Sequence, residues 1–454
     1  MTNTVGALAQ DLRYAARGLR KSPGFTLVAV LTLGVGIGAT TAVFSVINGV
    51  LLRPLPYSDP DRLVAVSNVF PDSGSRFGLV SDSDVVNWRA DNHVFDQLEF
   101  VSHPDIVAMS GAGYGERAAV QHMTWRVLTM LGIRPFLGAI PNDDLSEQRG
   151  SDGVLISYEF WKHHFGGNPK VLGQTIYVDT FAGPIVAVLE PGFDLFGTGV
   201  PDVYIIHGMS NVVDSGIGDV RWEVAVGKLK PGVSIEQAHA AMNVTQRHLA
   251  QTFPETYKNV GVRVDPLQKR LFGHWAGVYY TLFGIVGFVL LIACVNVANL
   301  LMVRGDGRRK EMGVRVAMGA NKRTLVRQVL TESILLSLIG GLVGLLLSFL
   351  SVRIFNLWAP FWFPRQSSVL VDGRVLLFTF ATCVLTGIGF GLIPAYRAVR
   401  TNLNECLQEG THSTATISRH RTRNTLVVTE IALSLVLLIF AGLMINTLTR
   451  ILRT

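Results

Sequence analysis

Few residues in this chain combine a reactive type with a spacing that chemistry could use. His93, His103, His122 and the adjacent His163 and His164 lack the short repeats that gather zinc ligands. H-E-x-x-H and G-x-S-x-G are both missing, which argues against a metalloprotease and a serine hydrolase. Asp82 and Asp84 have the separation of a paired-acid site. They also open a helical stretch, where the helix dipole favours acids for structural reasons, and that plainer reading is preferred. Gly34, Gly36, Gly38 and Ala39 spell G-x-G-x-x-A, which cradles a pyrophosphate when a strand precedes it and a helix opens on it.

No strand precedes those glycines; they lie inside a long apolar run. Gly34 and Gly38 are four apart and so share one helix face, as do Gly387 and Gly391. Small residues at that spacing let two membrane helices approach closely, so these four are read as helix-packing residues. No G-x-x-x-x-G-K-[ST] loop occurs, so the chain carries no ATP site of this type. An enzyme is not expected, nor a cofactor or metal bound by this chain. Cys294, Cys383 and Cys406 all lie outside 53–275, which excludes disulfides from that region.

The elements that hold these residues follow from composition. Of 454 residues, 49% are hydrophobic and 16% charged, with a mean hydropathy of +0.36; a soluble domain carries about a quarter charged residues. Five apolar stretches reach the ~20 residues needed to cross a bilayer: 25–52, 278–302, 324–357, 375–396 and 425–446. The first is too long for a cleaved leader and reads as an uncleaved anchor. A short amphipathic segment, 1–24, precedes it.

Charge sets the orientation. Region 53–275 holds 18 Lys+Arg against 25 Asp+Glu, and the remainder 22 against 8. Arg13, Arg17, Arg20 and Lys21 flank the first stretch, seven basic residues fall between Arg304 and Arg323, and Arg397, Arg400, Arg419, Arg421 and Arg423 lie in 397–424. Five alternating spans place all three groups on one side, the cytoplasmic one. The basic balance is therefore a topology signal, and no nucleic-acid partner is expected. Region 53–275 falls outside. Alternating runs predict strands at Leu63–Val69, Gly183–Glu190, Trp222–Leu229 and Val260–Asp265, and amphipathic runs predict helices at Ser83–Asn92, Ser157–Phe165 and Ser234–Thr252. Ser234 and Gln237 have capping-box spacing. The stretch 111–182 is read as a separate lobe. The fold class is a membrane α-helical bundle of about five spans with a large α+β extracytoplasmic domain between spans one and two.

The loop 303–323 is the most informative segment. Arg308-Arg309-Lys310-Glu311-Met312-Gly313-Val314-Arg315-Val316-Ala317-Met318-Gly319-Ala320 is too mixed for a plain charged hinge. Met312, Val316 and Met318 give it an apolar side, and Glu311 and Arg315 stand at i,i+4. On physical grounds it fits a topology-setting loop, a helix docked in a partner's groove or a helix lying on the bilayer. Glu332 and Glu430 are the acids within the apolar stretches; relay or coupling roles are open to them, and snorkelling or capping contacts are the preferred reading for both.

The same segment resembles the R-K-E-x-G-x-R-x-A-x-G-A signature of MacB/FtsX-type ABC transporter permeases, and Gln328, Leu330, Glu332 and Ser333 match its continuation. Two further regions are similar to that family. One runs from Leu12-Arg13-Tyr14-Ala15 through Ser22-Pro23-Gly24-Phe25 to Leu51-Leu52-Arg53-Pro54-Leu55-Pro56-Tyr57; the other is Pro394-Ala395-Tyr396-Arg397-Ala398 with Leu403, Asn404, Glu405 and Leu407. The resemblance covers nearly the whole chain and implies a multi-pass protein of the bacterial cytoplasmic (inner) membrane. It implies a permease subunit driven by a separate cytoplasmic ABC ATPase that binds ATP and Mg²⁺. Glu311, Met312, Gly313, Val314, Arg315, Val316 and Gly319 would form the ATPase-docking coupling helix. Motion would pass to the outer domain, in export or efflux. The implied partners are that ATPase, a second permease copy or a missing second half, and membrane lipids. The N-terminal motif resembles the long duplicated acidobacterial permeases, so the chain reads as a first half plus the first helix of a second repeat. A membrane sensor or scaffold with the same topology is the competing reading.

Overall fold

The computed structural model describes residues 2–70, 75–140, 153–307, 322–358, 369–399 and 427–440, leaving out 79, 92, 103, 112–113, 180, 198–200, 208–220 and 223, with a few single positions after 440. The chain divides into two compact units, one holding the N-terminal segment to Gly49 and the helices after Gly277, the other Val50–Ala276.

The first unit is helical. The N-terminal helix Thr2–Arg20 ends just before Pro23, which opens the next helix because its fixed φ suits a first turn and its missing N–H is not needed there. Helices Pro23–Ile47, Ala276–Gly307, Lys322–Trp358 and Gly373–Val399 carry four stretches long and apolar enough to cross a membrane; they are spans one to four below. In the region of the fifth stretch the described helix, Val427–Phe440, is shorter. Span one is apolar all round, as a span surrounded by protein and lipid must be. It ends in a five-residue π-helical turn, Asn48–Leu52. Leu33, Ile37, Val297, Ala298 and Leu336 form the centre of the bundle core.

The second unit is α+β. Leu63–Phe70 is central to one half, paired antiparallel with both Val224–Leu229 and Gly261–Pro266. Ile235–Thr252 buries Ala238, Met242 and Leu249 in this half's core, and Ser234 and Gln237 form the expected reciprocal cap at 3.2 and 2.9 Å. Asp84 also serves structure: its carboxylate accepts from the Ser81 backbone N–H and the Asn68 amide, both at 2.7 Å. The expected lobe at 111–182 is larger than the reading and is not separate. Its core runs from Met109 to Ile205, because Val203–His207 pairs with both Tyr114–Thr124 and Gly153–Ile156. Phe95–Val101 pairs with Val224–Leu229 and, through Val101 and Met123, with Tyr114–Thr124, so one sheet runs through both halves.

Candidate functional site: the helix contacts that could carry motion

Span three is the hub of the helical unit. Its glycines Gly340 and Gly344 face span one. A Cβ added at Gly344 would stand 2.9 Å from the Gly34 carbonyl oxygen and 2.9 Å from the Gly38 nitrogen, and one added at Gly38 would stand 2.9 Å from the Gly344 carbonyl. No side chain larger than hydrogen fits that crossing without parting the backbones. On the other side of span three, a Cβ at Gly387 would meet Ile334 Cα at 2.8 Å and one at Gly391 would meet Ser333 Cβ at 2.8 Å. The four sequence-chosen glycines therefore all lie at contacts with one helix. Gly340 and Gly344, spaced like the others, were the partners the sequence reading passed over.

Hydroxyls tie the same helices. Ser337 Oγ donates to the Cys383 carbonyl at 2.7 Å and lies 2.8 Å from Thr386 Oγ1. Thr41 and Thr379 bridge spans one and four at 3.1 Å. The Asn48 amide, in the π-helical turn, donates to Asp372 at 2.9 Å. Phe44 stacks on Phe378 with centroids 3.9 Å apart.

The last turns of span two and the first turns of span three hold charge. Arg304 lies 2.7 Å from Glu332, with side chains only 13% and 12% exposed. Arg304 thus supplies Glu332 with a buried counter-charge, a partner that the expectation of snorkelling or capping contacts did not include. Arg304 also donates to the Gly18 carbonyl and lies over the Phe25 ring at 4.7 Å, so one guanidinium joins spans one, two and three and the N-terminal helix. Arg327 of span three pairs with Asp11 at 2.6 Å. The residues expected to dock on a partner, Glu311, Met312, Gly313, Val314, Arg315, Val316 and Gly319, lie outside the described residues; in sequence they fall between spans two and three, which the Arg304–Glu332 pair joins. Glu430 belongs to the short helix Val427–Phe440.

The outer unit has its own ties. Gln268 donates to the Leu51 and Arg53 carbonyls at 2.7 and 3.0 Å, joining the segment that leaves span one to the helix Leu267–Phe272 that precedes span two. His122 and His207 meet on neighbouring strands, Nδ1 to Nε2, at 2.8 Å. Burial, helped by His207, holds His122 down at about 4. Their 85-residue separation hid the pair from sequence spacing. A cavity of ≈ 370 Å³ is lined by Tyr57, Ile133, Arg134, Glu190, Asp194 and Phe196 among others. Among the described residues no group of three or more His, Cys, Asp or Glu could hold a metal.

Two family models match the chain: the MacB-like periplasmic core domain over residues 26–244 and the FtsX-like permease C-terminal over 283–403. The macrolide export ATP-binding/permease protein MacB of Bordetella avium is 25% identical over 278 residues, covering 61% of this chain and 41% of the relative. MacB 1 of Yersinia pestis bv. Antiqua is 24% identical over 413 residues, covering 88% of this chain and 60% of the relative. The chain thus spans about two to three fifths of the length of these relatives. The periplasmic region of MacB from Actinobacillus actinomycetemcomitans aligns with a TM-score of 0.34 and 14% identity over 48% of this chain and 92% of that structure.

Proposed function

Since the chain belongs to the MacB/FtsX-type permeases, multi-pass proteins with a large extracytoplasmic domain, we propose that it is driven by a separate cytoplasmic ABC ATPase. ATP and Mg²⁺ belong to that partner, and this chain binds no cofactor. The residues Glu311 to Val316 with Gly319 dock on the ATPase, and its cycle moves the outer domain in export or efflux. Relatives named for macrolide export favour that direction. The membrane is the bacterial inner membrane. A second permease copy or a further permease half completes the assembly, in contact with lipid.

The observation that carries this reading is the pairing of Arg304 with Glu332 and of Arg327 with Asp11. A loop that receives force needs flanking helices that move together; these pairs join both flanks to the N-terminal helix. Gln268 links the two connections between the helices and the outer domain in the same way.

The test is co-purification with the ATPase. Gly313→Asp, or Glu311→Ala with Arg315→Ala, should weaken capture of the ATPase and leave membrane insertion unchanged. Capture equal to the unaltered chain would contradict the docking assignment.

A further inference from the structure

We infer that the outward face of the N-terminal helix Thr2–Arg20 is a binding surface for anionic phospholipid headgroups. The helix turns one stripe inward: Asp11, Ala15, Gly18 and Leu19 are buried, Asp11 against Arg327 and Gly18 beneath Arg304. Arg13, Arg17 and Arg20 stand at i, i+4 and i+7, on the opposite side; Lys21 follows the last helical residue, and all four are exposed. None of them forms an ion pair with another described residue. Asp11 is the only acid in the helix and faces inward, so no carboxylate of the helix offsets the outward charge.

Two features favour lipid over an acidic protein surface. Leu12, 42% exposed, and exposed Ala16 border the cationic stripe; an apolar edge beside cations suits the boundary between acyl chains and headgroups. The stripe also ends at Lys21, two residues before Pro23 opens span one, so its last cations stand about one turn from the bilayer entry. Juxtamembrane Lys and Arg there attract anionic lipid strongly enough for four to act as a site. The same helix then links leaflet charge to Arg304 and Arg327 on its inner face. The inference rests on the membrane-spanning reading of span one and does not depend on an ATPase partner.

The purified full chain in mild detergent, titrated with POPG or POPC and read by native mass spectrometry, tests it. Arg13→Gln/Arg17→Gln/Arg20→Gln/Lys21→Gln should weaken POPG binding roughly tenfold or more and leave POPC binding unchanged. Arg13→Gln/Arg17→Gln, which keeps the two cations nearest the span for insertion, should lose several-fold. The charge-preserving Arg13→Lys/Arg17→Lys/Arg20→Lys should bind as the unaltered chain does. Unchanged POPG binding in the double or quadruple Gln variant overturns the inference. So does a variant that keeps POPG but loses a co-purifying acidic protein, which would assign the stripe to that protein.

Discussion

Arg304 and Glu332 stand 2.7 Å apart between spans two and three, nearly closed off from solvent. A buried pair contributes little net stability while intact, but removing one partner strands the other charge. Glu332→Ala should therefore destabilise the helical unit by about 3 kcal/mol. The exchange Arg304→Glu/Glu332→Arg should recover part of that loss. Thermal unfolding of the purified chain in detergent separates the two, and an exchange as damaging as the single change would mean that geometry, not charge pairing, sets the contact.

The crossing of span one on span three depends on hydrogen-sized side chains. Gly344→Val should sharply reduce the yield of folded protein, because its Cβ meets the Gly34 and Gly38 backbone at 2.9 Å. Gly277→Ala, where an added Cβ meets nothing within 4 Å, should be recovered at the unaltered level. Size-exclusion profiles of the two variants give the comparison.

The outer unit should lose stability in mild acid. An unfolded histidine takes up a proton near 6.5, whereas His122 in the fold resists until about 4. Between those values the unfolded chain binds more protons, so stability is full above about 6.5 and falls as pH drops toward 4. The loss is on the order of 3 kcal/mol at most. His122→Gln should flatten the profile of unfolding temperature against pH in this window; an unchanged slope would place the sensitive group elsewhere.

The cap of Ile235–Thr252 offers a smaller test. Ser234→Ala removes the oxygen that accepts from the Gln237 N–H, and should cost about 1 kcal/mol. Hydrogen exchange should rise over the first turn of that helix and stay level elsewhere.

Local chemistry made much of this legible in sequence. The apolar runs marked the spans because a bilayer demands unbroken hydrophobic length. Ser234 and Gln237 marked a helix start because a capping box is a short-range device. The partners across helices were hidden. Nothing near Arg304 in sequence indicates Glu332, 28 positions on, and Arg304 looked like one more topology cation. His122 and His207 meet only because Tyr114–Thr124 and Val203–His207 lie parallel in one sheet. The lobe boundary was misjudged for the same reason: Val203–His207 enters it from about 20 residues beyond the expected end at 182.

Transmission of force from the ATPase requires the loop around Val314 and the outer unit to face opposite sides of one membrane. With Cys294, Cys383 and Cys406 replaced by alanine, Val314→Cys and Lys258→Cys can be probed singly in intact cells, their outer envelope opened, with a membrane-impermeant maleimide. Labelling of Lys258→Cys at once, and of Val314→Cys only after the inner membrane is permeabilised, is the predicted result. Labelling of both positions under the same condition would contradict the account, since no force could then pass from that loop across the bilayer.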